Sequence, residues 1–109
     1  MNIILSPHLD DAVMSCWHLL IEPDSMVVNI FSGIPSHNTS AWWDKICGEQ
    51  DSRKMVKLRL KENARAISIS GNPNSQLYLD WLDAQYRQAN EKPEVNELVN
   101  ALINIAPPK

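Results

Sequence analysis

The chain has 109 residues, enough for one small domain around one core and too few for two. Apolar residues make up 44% and charged residues 21%, the balance of an ordinary globular protein. A net charge of −3 gives no basic footprint for nucleic acid, and two cysteines, Cys16 and Cys47, make no disulfide framework.

Asn2 to Ser6 is a short β-branched run closed by Pro7, the pattern of a buried strand. It is too short for a signal peptide and lacks a basic segment ahead of it. No window approaches a membrane span, so a cytoplasmic chain is expected. Asp10 to Ile21 carries Val13, Met14, Trp17, Leu20 and Ile21 at helical spacing and stops at Glu22-Pro23-Asp24. Cys16 lies on that apolar face, where a thiol acts as a small hydrophobe. Met26 to Phe31 is a second strand, ended by Ser32-Gly33. A long, mostly polar stretch runs from Ile34 to about Ser52, with Pro35 at its start and Trp42-Trp43 inside it.

Arg53 to Ser70 reads as a helix closed by Gly71-Asn72-Pro73. Its positive residues, Arg53, Lys54, Lys57, Arg59, Lys61 and Arg65, fit a solvated helical face. Gln76 to Trp81 is a third, shorter strand. Pro93 to Ile105 is another helix, with Val95, Leu98, Val99, Leu102 and Ile103 on one face. This alternation predicts an α/β fold: a Rossmann-like parallel sheet covered by helices. Ligands of such sheets bind at the carboxyl ends of the strands, which places His8, the Gly33-to-Ser52 loop and the segment after Trp81 at one edge.

The chemistry concentrates in Pro7-His8-Leu9-Asp10-Asp11, where the first strand hands over to the first helix. His8 and Asp11, three apart at a helix N-terminus, can face one point. One imidazole and one carboxylate suit Zn²⁺, and Asp10 between them is free to hold a water. A plainer reading makes Asp10 an N-cap, Asp11 a partner of the helix dipole and His8 a strand-end residue. His18 lies roughly 10 Å farther along the helix than Asp11, too far to share an ion. His37 sits in the long loop at the functional edge and is geometrically able to reach the site, although a solvated loop histidine is the simpler reading. Trp42-Trp43 offers a flat ring to a sugar, or folds at least one ring back over the core.

Ser6-Pro7-His8-Leu9-Asp10-Asp11-Ala12-Val13-Met14-Ser15-Cys16 resembles the N-terminal signature of the LmbE/PIG-L family of zinc-dependent de-N-acetylases, Pro-His-x-Asp-Asp-x-x-x-x-x-Gly. The resemblance implies that His8 and Asp11 are metal ligands and Asp10 the general base. It implies hydrolysis of an N-acetyl or related N-acyl group from an N-acetylglucosamine-type conjugate by attack of a zinc-bound water. The cofactor is then Zn²⁺ or another divalent metal, and the partner a sugar conjugate. Arg59-x-x-Glu62-x-x-x-Ala66-x-x-x-x-Gly71 is similar to the family's Arg-x-x-Glu helix, where the arginine contacts the sugar; a surface Arg–Glu pair explains the same residues. Asp83, in Leu79-Asp80-Trp81-Leu82-Asp83-Ala84-Gln85-Tyr86-Arg87, matches a hydroxyl-binding carboxylate or else forms a turn. His37 joins Arg59 and Asp83 as a substrate-binding candidate.

Two departures accompany the resemblance. Trp17-His18 stands where the family carries glycines, a change that narrows the pocket or crowds the helix. Family domains continue with a further strand and a His-x-x-His loop supplying the third ligand, so residues 1–109 read as the N-terminal portion of one such domain, with little turnover alone. The sequence leaves a homo-oligomer open. Two other classes compete: a receiver-type signalling domain, with Asp83 as phosphoacceptor, and a non-catalytic remnant of the deacetylase fold.

Overall fold

The computed structural model describes residues 2–36, 39–71, 76–88 and 91–105. The elements in chain order are β1 (Asn2–Ser6), α1 (Asp11–Ser15), α2 (Trp17–Leu20), β2 (Ser25–Asn29), α3 (Trp42–Ile46), α4 (Ser52–Ile69), β3 (Gln76–Tyr78), a 3₁₀ turn (Ala84–Tyr86) and α5 (Val95–Ile105). Among the described residues the sheet has three parallel strands in the order β1-β2-β3. The register runs from Asn2 opposite Ser25 to Ser6 opposite Asn29, and from Val27 opposite Gln76 to Asn29 opposite Tyr78.

The α/β architecture with parallel strands and helices is the one that the alternating pattern implies. The strand order also separates the two sheet types. With β2 in the middle, the order is half of a Rossmann sheet; a receiver domain would place β1 between β2 and β3. The receiver alternative is therefore set aside.

The central strand is buried on both faces. Val27, Val28 and Asn29 are all inaccessible, as parallel strands under helices must be. Ile4 of β1 and Val27 of β2 pack with Ala12, Leu20 and Ile67, and Val13, Cys16 and Leu19 close the cluster. The Cys16 thiol is thus the small apolar filler expected of it.

Three elements differ from the sequence reading. The helix expected over Asp10 to Ile21 is broken at Cys16, whose φ of −127° and ψ of 26° are not helical. Ala12 and Leu20 are buried, whereas Met14 and Ile21 of the expected apolar face are exposed. The apolar spacing survives the break, which is why it reads as one helix. β3 stops at Tyr78 because Asp80 takes a positive φ of 60°. Backbone pairing nevertheless continues: Leu79 N–H donates to Asn29 O, Trp81 N–H to Ile30 O and Gly33 N–H to Trp81 O. Gly33 is required there, since a Cβ would stand 2.5 Å from the Asp80 carbonyl oxygen. Finally, α3 forms inside the stretch read as loop, just before α4.

The long helix forms largely as its sequence dictates. Asp51 caps α4 by accepting a hydrogen bond of 3.0 Å from Arg53 N–H, and Gly71, at φ 85°, follows its end. The apolar face expected on the last helix exists, but no residue of α5 is buried and Val95, Val99 and Ile103 face solvent.

Candidate active site

The turn between β1 and α1 is built by Ser6. Its buried hydroxyl donates to the His8 carbonyl oxygen at 2.7 Å and accepts from Ala12 N–H at 3.2 Å. The backbone of the turn is tied to the sheet as well, since Phe31 N–H donates to Pro7 O. His8 is thereby delivered to the carboxyl end of β1. Its own backbone N–H donates to Asp11 Oδ2 at 2.9 Å, and its Nδ1 lies 3.7 Å from the same oxygen. The two side chains are 57% and 43% exposed, so both are open to solvent and ligand. Phe31 backs the imidazole at 5.9 Å between ring centroids and meets Trp81 edge-on.

Asp10 occupies the N-cap position of α1, yet its side chain makes no capping hydrogen bond. The plain capping role weighed for it from sequence is not what the carboxylate does. Asp10 instead lines a cleft of ≈ 480 Å³ at the carboxyl edge of the sheet, together with His8, Trp43, Arg59, Asp83 and Tyr86.

Asp83 approaches from the segment after β3. Its Oδ1 accepts from Ala84 N–H at 2.7 Å, starting the 3₁₀ turn, and lies 3.5 Å from His8 Nε2. The turn-forming role and a place in the cleft are thus compatible. His8 is flanked by Asp11 at one ring nitrogen and by Asp83 at the other.

Arg59 is not part of a solvated helical face. It falls on the side of α4 that buries Ser52, Val56, Asn63 and Ile67, and its ion partner is Asp44 of α3, not Glu62. Arg59 Nη2 lies 3.2 Å from Asp44 Oδ1, and the Tyr86 hydroxyl donates to Asp44 Oδ2 at 2.6 Å. Asp44 is wholly buried. Burial, then the hydrogen bond and the charge of Asp44, push the Tyr86 phenol well above the usual tyrosine range, against a smaller opposing pull from Arg59. The phenol is a neutral donor at physiological pH.

Asp44 and Tyr86 shape the cleft wall, and the sequence reading gave neither a role. An acidic residue in the first turn of a five-residue helix carries no signal of burial. Asn63 is another such residue: it is buried on the cleft wall, with Nδ2 donating to Gln76 Oε1 at 3.0 Å. The tryptophan pair departs from the reading in which one ring folds over the core. Trp42 and Trp43 are both exposed, and Trp43 lines the cleft. His37 lies outside the described residues.

As a metal centre, the turn offers one imidazole and one carboxylate, donors whose chemistry suits Zn²⁺. Among the described residues, no group of three or more His, Cys, Asp or Glu side chains is placed to hold an ion. Nor is any helix, among those residues, long and apolar enough to cross a membrane.

The fold is similar to that of a deacetylase of the teicoplanin biosynthesis pathway, solved in complex with teicoplanin. The TM-score is 0.75 at 21% identity, over 95% of this chain and 52% of the deacetylase. The chain therefore spans about half the length of that neighbour, and at this identity the likeness is one of fold. No family model and no curated protein matches the chain.

Proposed function

We propose that the chain carries the metal-binding and proton-accepting half of a zinc-dependent de-N-acetylase acting on an N-acetylglucosamine-type conjugate, as its resemblance to the LmbE/PIG-L signature implies. The observation that carries the reading is the disposition of one turn. His8 and Asp11 lie side by side and open to solvent, while Asp10 lines the cleft with its carboxylate uncommitted to capping. A deacetylase neighbour with the same fold supports it.

His8 and Asp11 would hold the ion, through Nδ1 and a carboxylate oxygen, leaving Nε2 toward Asp83 to orient the ring. Zinc, when bound, supplies Lewis acidity, which makes a water a better acid and an amide carbonyl a better electrophile. Asp10 accepts the proton of the water that adds to the acyl carbon. It returns that proton to the amine nitrogen as the C–N bond breaks, so the products are a carboxylic acid and a free amine, which exchange a proton in water to carboxylate and ammonium. Arg59 and Asp83 line the cleft as hydrogen-bonding partners for sugar hydroxyls.

Zinc titration of the chain by calorimetry tests the assignment. Wild type is expected to bind zinc with the modest affinity of a two-ligand site, His8→Ala to lose binding and Asp11→Asn to weaken it. Asp10→Asn should retain the metal and, wherever turnover is measured, lower kcat by about 10²–10⁴-fold. Equal zinc binding by wild type and His8→Ala would remove the metal assignment. Full activity of Asp10→Asn with zinc bound would remove the base.

A further inference from the structure

The Asp44 cluster is more than a structural pin, because both of its partners line the cleft while Asp44 itself lies behind the wall. An arginine in a cleft ordinarily marks an anionic ligand. Here its charge is already met. Arg59 Nη2 is 3.2 Å from a carboxylate with no solvent exposure, and the other charged side chains lining the same cleft are three carboxylates, Asp10, Glu62 and Asp83. A phosphate or carboxylate entering along α4 meets one compensated guanidinium against these negative charges.

Hydrogen-bond polarity is fixed by the same residue. The Tyr86 proton is committed to Asp44 Oδ2 at 2.6 Å, so the phenolic oxygen presents only its lone pair to a ligand. Arg59 is ion-paired with Asp44 and not hydrogen-bonded to it, and its guanidinium can only donate. One donor and one acceptor, the first ion-paired and the second hydrogen-bonded to the same carboxylate, match a group that both accepts and donates. A hydroxyl does; an ionised oxyanion does not.

We infer that Asp44 is a positioning residue that selects ligand charge, making the α4 side of the cleft a subsite for an uncharged, hydroxyl-bearing group. The inference rests on the reading of the cleft as the substrate site, but it does not depend on a bound metal.

The test is equilibrium binding to the metal-free chain in the presence of a chelator, followed by tryptophan fluorescence, since Trp43 lines the cleft. The probes are methyl N-acetylglucosaminide and N-acetylglucosamine 6-phosphate. Wild type is expected to bind the neutral sugar about tenfold more tightly than the phosphate. In Asp44→Asn the uncovered guanidinium should cost the neutral sugar about tenfold and bring the phosphate to equal or higher affinity. Tyr86→Phe, which keeps the Asp44–Arg59 pair, should weaken the neutral sugar severalfold and gain nothing for the phosphate.

A wild-type preference for the phosphate overturns the inference. So does a folded Asp44→Asn with both affinities unchanged. If Asp44→Asn does not fold, the Tyr86→Phe result decides: unaltered sugar binding overturns it. Binding of neither probe by wild type removes the subsite, whereas the metal assignment stands or falls on the zinc titration alone.

Discussion

Two polar clusters face one cleft and are built in opposite ways. In the turn after β1, His8 and Asp11 are about half exposed, and their side-chain contacts are loose, at 3.7 Å to each other and 3.5 Å to Asp83. Their placement comes from backbone bonds, through Ser6 and the His8 N–H. At the corner of α3, α4 and the 3₁₀ turn, Asp44 is fully buried and its contacts are short, at 2.6 and 3.2 Å. The first cluster keeps its donor atoms available for a ligand. The second sets one buried carboxylate between a guanidinium and a phenol, with Asp44 Oδ2 accepting from Tyr86 and Asp44 Oδ1 held by charge alone. An open turn and a buried corner place different demands on their polar groups, and this molecule separates them.

The sharpest way to break that comparison is to remove one carboxylate from the buried corner. Asp44→Ala leaves a guanidinium and a phenol without their shared partner. The loss should be about 3 kcal/mol, the low end for breaking a buried ion pair because Arg59 retains some exposure, as read from urea denaturation. His8→Ala, by contrast, should change stability by less than about 0.5 kcal/mol, as exposed positions do. If His8→Ala proved the costlier of the two, the division between soft site and rigid wall would be wrong.

A milder probe of the same corner is Tyr86→Phe, which removes a hydrogen bond to a charged group and should cost about 1.5 kcal/mol at neutral pH. Its pH dependence sharpens the point. The Tyr86 pKa is raised in the folded state, so its stabilisation is complete below the ordinary tyrosine value of about 10 and is lost as pH rises through the folded value. Wild-type stability should therefore fall more steeply than that of Tyr86→Phe above the ordinary range. Parallel pH profiles would show that burial and Asp44 together do not hold the phenol protonated.

The smallest expected effects separate two aspartates at helix starts. Asp51 caps α4 through its side chain, so Asp51→Ala should cost about 1 kcal/mol in thermal unfolding. Asp10, at the equivalent position of α1, makes no such bond, and Asp10→Ala should cost less than about 0.5 kcal/mol. A full capping loss at Asp10 would return it to a structural role and weaken its claim to be the base.

The residues of the turn were legible because their proximity is local. His8 and Asp11 are three positions apart where a strand gives way to a helix, so chain geometry alone brings them together. The long helix was legible for the same reason: its cap and its terminating glycine act within a few residues. The break at Cys16 escaped the reading because apolar spacing continues through it, and periodicity is blind to one residue leaving the helical region.

The sequence by itself determined the parallel α/β class and the strand-to-helix turn that carries an imidazole and two carboxylates at the carboxyl edge of the sheet. The order of the strands, the burial of Asp44 and the arrival of Asp83 beside His8 were decided only in three dimensions. Asp44 and Tyr86 are 42 residues apart, and no local spacing links them. Local patterns record what neighbours along the chain impose on one another. Burial depends on what the rest of the fold lays over a residue, and an aspartate inside a mostly polar stretch of sequence becomes, beside α4 and the 3₁₀ turn, the buried charge behind one wall of the cleft.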